Sequence, residues 1–221
     1  MRIIYVLITI FCLNSLAIAQ KSAIGNWFLY FGNQKINEKW NWHNEIQYRN
    51  YNFIGDTNQL LLRTGIGYNL TENNNNLLLG YGYINTQNYI PDTDEKVHIN
   101  EHRIYQQFIT KEHFGRFFLQ HRYRIEERFV ANEFKMRFRY LVGVNMPLNK
   151  KTMDKDAIYL SAYNEIFINK KKPLFDRNRL YGAIGYVINK NFKAEIGFMA
   201  QTVEHSNRNQ FQIAIFNNLP F

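Results

Sequence analysis

The sequence contains few cysteines, few prolines, few acidic residues and no long apolar run. Its 221 residues include a single cysteine, Cys12, and four prolines, so no disulfide within the chain can stabilise the fold. No stretch approaches the ~20 consecutive apolar residues of a membrane-spanning helix. There are 18 Asp and Glu against 27 Lys and Arg, and the net charge is +9. Stability must therefore come from packing and from paired polar groups.

The first 19 residues have the features of an export signal. Arg2 supplies a positive start, residues 3–13 form a short apolar run, and Ala-Ile-Ala at 17–19 is a small-residue cleavage site. We expect cleavage after this site, so that residues 1–19 are a signal peptide and residues 20–221 are one domain. Because the chain is exported and its basic residues are dispersed, nucleic acid is not an expected partner despite the positive charge.

The remaining chain alternates polar and apolar residues. In 116–129, RFFLQHRYRIEERF, one face carries Arg122, Arg124 and Glu126, and the other carries rings and an isoleucine. A period of two is typical of β-strands. Polar turns separate eleven such segments, which are 27–33, 40–50, 59–70, 77–89, 98–111, 116–129, 134–145, 158–169, 177–188, 192–203 and 210–221. Many are much longer than the ~5–6 residues of an average strand. The pattern predicts an all-β, up-and-down antiparallel barrel.

The distribution of basic residues predicts which face is inside. Nearly all arginines fall within the predicted strands, whereas most lysines and all six aspartates fall in turns. A guanidinium binds two carboxylate oxygens at once and tolerates partial desolvation better than an ammonium. A dry core of so many ions would cost several kcal/mol per ion. We therefore expect a wet lumen lined by charge and an apolar face in lipid, which describes a transmembrane barrel of the bacterial outer membrane.

Strands of about 13 residues, tilted by about 40°, are long enough to clear the ~25 Å apolar band of such a barrel. The chain also ends on Phe221 after an amphipathic segment, as outer-membrane barrels usually do. Bacterial single-chain barrels have even strand numbers. We therefore expect ten or twelve strands rather than the eleven counted.

The predicted sites are structural rather than catalytic. The predicted polar network of the lumen consists of Glu45, Arg49, Arg63, Glu101, Arg103, Arg122, Arg124, Glu126, Arg128, Arg137, Arg139, Glu165, Arg177, Arg179 and Glu195. Predicted interfacial aromatics, at the level of the lipid headgroups, are Trp27, Trp40 and Trp42. The histidines lack the spacing of metal ligands, so we predict neither a metal site nor a cofactor.

Six segments in succession resemble one known family, domain of unknown function 2490. These are QYRNY (47–51), EHRIYQQF (101–108), HRYRIEERF (121–129), RFRYL (137–141), YNEIF (163–167) and RNRLYGAIGY (177–186). The resemblance extends over roughly residues 24–217. It implies an outer-membrane barrel of a kind common in Bacteroidota, and it implies no particular activity.

Three functions remain open from the sequence. The first is a structural barrel or a narrow, porin-like channel, with outer-membrane lipids and small anionic solutes as partners. The second is a lipid-modifying hydrolase that uses His205, Ser206 and Glu165. The third is a soluble periplasmic barrel that binds an apolar ligand. The sequence leaves open the oligomeric state and whether the lumen is plugged.

Overall fold

A computed structural model describes residues 24–71, 74–204 and 206–220. The predicted signal peptide and Phe221 lie outside the described residues. The described residues form eleven strands, which are β1 (Ile24–Lys35), β2 (Trp40–Asn50), β3 (Thr57–Asn69), β4 (Asn75–Tyr89), β5 (Lys96–Phe114), β6 (Phe117–Val130), β7 (Glu133–Pro147), β8 (Ile158–Asn169), β9 (Phe175–Val187), β10 (Phe192–Val203) and β11 (Ser206–Asn217). They include no helix long and apolar enough to cross a membrane.

The strands close into one barrel in sequence order. Each strand pairs antiparallel with the next, while β1 pairs with β11 in parallel, Ile24 beside Asn209 and Gly32 beside Asn217. The predicted all-β barrel is therefore confirmed. The expected even number of strands is wrong. An antiparallel closure requires an even count, but a parallel contact between the first and last strands closes an odd one.

Two tight hairpins hold the arginine-rich strands in register. Phe114 pairs with Phe117, and the turn between them places Gly115 at a φ of 57°. Val130 pairs with Glu133, and Ala131 has a φ of 51° in that turn. Two-residue hairpins need such positive φ values because their twist must match that of the strands. The register of β5, β6 and β7 is thereby fixed close to both ends of β6.

Burial alternates along the strands with the same period as the sequence. In β6, Arg124 and Glu126 are buried while Tyr123 and Ile125 are exposed. The described residues form no second layer of helix or strand outside the wall, so a buried strand residue faces the inside of the barrel. Every strand also exposes a large apolar side chain, for example Ile24, Ile46, Leu62, Leu79, Ile104, Ile125, Phe138, Leu160, Leu180, Phe198 and Ile215.

Two inward glycines lie beneath tyrosine rings of the neighbouring strand. Gly80 pairs with Tyr105, and Gly185 pairs with Tyr159. A Cβ added to Gly80 would lie 2.3 Å from the Tyr105 ring, and one added to Gly185 would lie 2.2 Å from the Tyr159 ring. Both tyrosines are fully buried. Glycine is needed at these positions because each ring lies against the bare backbone of the wall.

Trp27 is not an interfacial residue, contrary to the sequence-based prediction. Its side chain is only 5% exposed and packs inside the barrel against Leu29, Tyr181 and Met199. The reason is its register, because Trp27 lies directly opposite the inward-facing Arg49. On β1 the apolar face is the inner one. Of the other two predicted interfacial aromatics, Trp40 is exposed and Trp42 is partly buried.

Candidate functional site

A single carboxylate, Glu126, lies at the centre of the charged interior and is completely buried. Its Oε2 accepts hydrogen bonds from Arg137 Nε at 3.0 Å and Nη2 at 2.6 Å, and its Oε1 accepts one from Arg139 Nη1 at 2.6 Å. Three more guanidinium groups lie 3.6, 3.7 and 3.8 Å away, those of Arg63, Arg103 and Arg124. Five arginines from β3, β5, β6 and β7 therefore share this one negative charge.

Two of these arginines connect the centre to neighbouring carboxylates. Arg139 donates through Nη2 to Glu165 Oε1 at 2.7 Å while its Nη1 binds Glu126. Arg63 donates through Nη1 to Glu45 Oε1 at 2.8 Å. Buried charges are tolerated only when they are paired and hydrogen-bonded. The bridging geometry satisfies that condition across the width of the barrel.

The network extends toward the end of the barrel that carries the amino-terminal end of β1. Arg103 donates to both oxygens of Glu101, at 2.6 and 2.9 Å, and Arg128 donates to the same carboxylate. Arg137 Nη1 binds Asp176 Oδ2 at 2.7 Å. Asp176 was predicted in a turn but lies within β9. It is an acidic partner that the sequence pattern did not indicate.

Two buried aromatic rings cover the remaining guanidinium faces. Phe167 is 1% exposed, and four guanidinium carbons lie 4.4–5.9 Å from its ring centroid, those of Arg137, Arg139, Arg177 and Arg179. Arg49 lies 3.7 Å above the Trp27 ring, which Arg179 also approaches at 5.0 Å. Arginine stacks on rings in this way because the ring face carries partial negative charge.

The structure places the predicted network residues in two groups. Those buried on the inside of the wall are Glu45, Arg49, Arg63, Glu101, Arg103, Arg124, Glu126, Arg137, Arg139, Glu165, Arg179 and Glu195. Partly buried ones are Arg122, Arg128 and Arg177. Glu195 lies apart from the arginines and accepts hydrogen bonds from the hydroxyls of Tyr159 at 2.9 Å and Tyr181 at 3.2 Å. Two further partners belong to Arg124, whose guanidinium carbon lies 4.7 Å from the Tyr105 ring and whose Nε donates to Gln107 Oε1 at 2.9 Å. Sequence reasoning missed Phe167, Tyr105 and Gln107 because alternation does not show which inward side chains meet across strands.

Side chains fill the barrel at the level of this network. Each strand contributes at least one inward residue that is at most 7% exposed, namely Trp27, Glu45, Arg63, Ile84, Tyr105, Glu126, Arg139, Phe167, Arg179, Met199 and Gln212. A continuous aqueous pore would wet some of these residues. These residues are instead nearly inaccessible to solvent.

Above the network, toward the end where β11 finishes, lies a cavity of about 970 Å³, here called the vestibule. One side is apolar, with Leu29, Phe31, Tyr163, Ala214 and Phe216. The opposite side carries Lys111, Arg122 and Arg124. Lys193 and Glu195 lie within the apolar side, because their strand β10 is flanked by β11 and β9. Lys39, Asn74 and Asn218 also line the cavity. The vestibule therefore combines an apolar wall with several cations.

The residues considered for hydrolysis do not form a catalytic arrangement in the described part of the chain. Glu165 is occupied by Arg122 and Arg139. Ser206 is exposed at the start of β11, and His205 lies outside the described residues. Among residues 24–71, 74–204 and 206–220, no three His, Cys, Asp or Glu side chains are grouped so that they could hold a metal ion.

The fold and the network define the class of protein, which is a closed β-barrel with ion-paired arginines buried in its interior. The chain belongs to the family described as Protein of unknown function (DUF2490), which matches residues 24–212. The family membership expected from the six segments is thus confirmed. No curated protein and no solved structure matches the chain.

Proposed function

We propose that the protein is an outer-membrane β-barrel whose interior is closed by the network around Glu126. One observation carries this proposal, namely that the barrel is apolar outside and ionic inside. Side chains such as Leu79, Leu180 and Phe198 are about 60% exposed, and similar ones occur on all strands. Monomeric soluble proteins rarely expose a continuous apolar surface of this extent. Transmembrane barrels present it to lipid.

The energetic argument favours lipid around the wall. Each large apolar side chain left in water forgoes about 1.5–3 kcal/mol of burial free energy. The outward side chains of all eleven strands would together forgo tens of kcal/mol, which is more than the ~5–15 kcal/mol stability of a typical domain. Acyl chains around the barrel would remove that penalty. A soluble barrel that binds an apolar ligand would need the opposite arrangement, with its apolar face inside.

The packing of the interior supports a closed, structural barrel over an open channel. Ion-conducting pores present charges to a wet path. Here Glu126 is inaccessible, and its arginine partners are at most 7% exposed. Barrels of small strand number are commonly filled by side chains. The protein would then act as a membrane-embedded scaffold that presents its two ends and the vestibule.

Fractionation of cells that express the full chain tests the location. We expect the protein in the outer-membrane fraction, soluble only in detergent, with faster gel migration before heating than after. Boiling should abolish that difference, because folded barrels resist dodecyl sulfate until heated. Recovery of the protein as a soluble periplasmic species would rule out the proposed location.

A further inference from the structure

The apolar side of the vestibule carries two pairs of stacked rings, one on each side of β10. Phe31 and Phe216 stack with centroids 5.2 Å apart, and Tyr163 and Tyr181 stack at 4.7 Å. These rings pack on the buried cluster that includes Leu29. They are partly accessible from the cavity, whereas the rings of the outer wall face away from it. Such a surface suits the hydrocarbon or aromatic part of a ligand.

The opposite side of the vestibule carries guanidinium groups with unused donors. Arg124 is 3% exposed, and its Nη1 has no hydrogen-bond partner within the described residues. The nearest carboxylate oxygen to that atom, Glu126 Oε1, is 3.8 Å away. The Nε of Arg122 is also without a partner there. Because a buried donor without a partner is unfavourable, an acceptor that a ligand brings close to these groups would be stabilised.

Charge around the vestibule is unbalanced. Its lining includes six cations, Lys35, Lys39, Lys111, Arg122, Arg124 and Lys193, against three carboxylates, Glu38, Glu45 and Glu195. Glu45 already pairs with Arg63, Arg122 with Glu165 and Arg124 with Glu126. This leaves four lysines against Glu38 and Glu195 in the lining. No described carboxylate forms an ion pair with Lys111. An excess of one sign of charge in a cavity with low-dielectric walls concentrates ions of the opposite sign.

We propose that the vestibule binds an organic anion with an apolar body. The anionic group lies toward Lys111, Arg122 and Lys193, and the apolar body lies against Phe31, Tyr163 and Phe216. A volume of about 970 Å³ is within the ~300–1,000 Å³ typical of small-molecule sites. A carboxylate, sulfonate or phosphate ester with a short acyl or aryl chain has this chemistry. This inference goes beyond the proposed location, since the cavity belongs to the barrel whatever surrounds its wall.

Octanoate is a suitable probe because it stays monomeric at millimolar concentration. We would titrate octanoate into the protein in lipid nanodiscs by calorimetry and subtract the heat from empty nanodiscs. We expect saturable binding of octanoate. Octanol and inorganic phosphate should bind at least about tenfold more weakly, because octanol lacks the negative charge and phosphate lacks the apolar chain. Octanol binding as tightly as octanoate would overturn the anionic part of the proposal. Phosphate binding as tightly would overturn the apolar part.

Matched double variants locate the site. K111Q/K193Q removes two charges from the vestibule, and K170Q/K171Q removes two from the exposed loop at the other end of the barrel. We expect octanoate binding to weaken about tenfold or more in the first variant, which corresponds to about 1.4 kcal/mol, because charge-assisted contacts with the anion are lost. It should be unchanged in the second. Equal affinities in the two variants would overturn the assignment. The heat-dependent gel shift checks that each variant is folded.

Discussion

Replacing the Glu126 carboxylate by a neutral amide should strongly destabilise the barrel. In Glu126→Gln, five arginines lose their shared carboxylate. Arg137 keeps Asp176 and Arg139 keeps Glu165, but Arg124 retains only the neutral side chain of Gln107. Breaking a buried ion pair by removing one partner typically costs about 3–5 kcal/mol. We expect a loss of at least that size in the free energy of unfolding.

The next residue provides a matched control. Glu127 lies on the outer face, half-buried beside Gln106 at 3.5 Å. Glu127→Gln makes the same chemical change one position along the strand, and it should not lower the free energy of unfolding, because a charge on a lipid-facing side is unfavourable. The two variants therefore differ only in the face of β6 that they modify.

Urea unfolding in detergent micelles, followed by tryptophan fluorescence and by the gel shift, measures both variants. We expect the midpoint of Glu126→Gln to fall far below that of the wild type, or the variant to fail to fold where Glu127→Gln folds. Coincident unfolding curves for the two variants would refute the reasoning, because they would mean that the buried carboxylate does not hold the arginines together.

Three further predictions follow from the same packing. Gly185→Ala should lower the free energy of unfolding by about 1–3 kcal/mol because the new methyl group meets the Tyr159 ring. Gly182→Ala, whose methyl group meets no atom within 4 Å, should leave it unchanged. Similar urea midpoints for the two variants would contradict the described packing. In planar bilayers the wild-type protein should show no steady conductance, and a stable step whose anion selectivity falls in Arg139→Ala would disprove the closed interior. Brominated acyl chains should quench a variant that retains only Trp40 and spare one that retains only Trp27, so efficient quenching of Trp27 would contradict its inward placement.

Alternation within single strands was enough to predict the barrel and the sides of β6 and β7. Arginine and glutamate at every second position mark the face that the structure buries, because carboxylates and guanidinium groups on one face can pair with each other inside the barrel. The same reasoning fails on β1, where Trp27 and Leu29 alternate with Asn26 and Tyr30. Within residues 27–33, the segment predicted as a strand, no ion marks the inner side. Its orientation follows from pairing with β2, which a single strand does not reveal.

Long-range pairing limited the rest of the prediction. The closure between β1 and β11 is parallel, yet a strand has the same local pattern beside a parallel or an antiparallel neighbour. Asp176 follows a Lys-Pro segment typical of turns, and only the register of β7, β8 and β9 brings it to Arg137. The vestibule likewise depends on which strands face each other across the barrel. The composition of the chain indicates many cations and aromatic rings, but it does not show that some of them line one cavity.

Spin labelling tests most directly the claim that the barrel meets lipid outside and holds its polar groups inside. In a Cys12→Ser background the chain has no cysteine, so each label can be attached to a single introduced cysteine. Three outer positions are Ile46, Leu180 and Phe198, which are exposed on the outer face. The inner position is Ser161, which lines the vestibule. In bilayers we predict that the three outer labels are relaxed more by oxygen, which concentrates in acyl chains, than by a water-soluble nickel chelate, and that the Ser161 label shows the reverse. Outer labels that respond to the nickel chelate as freely as a label in water would contradict the account.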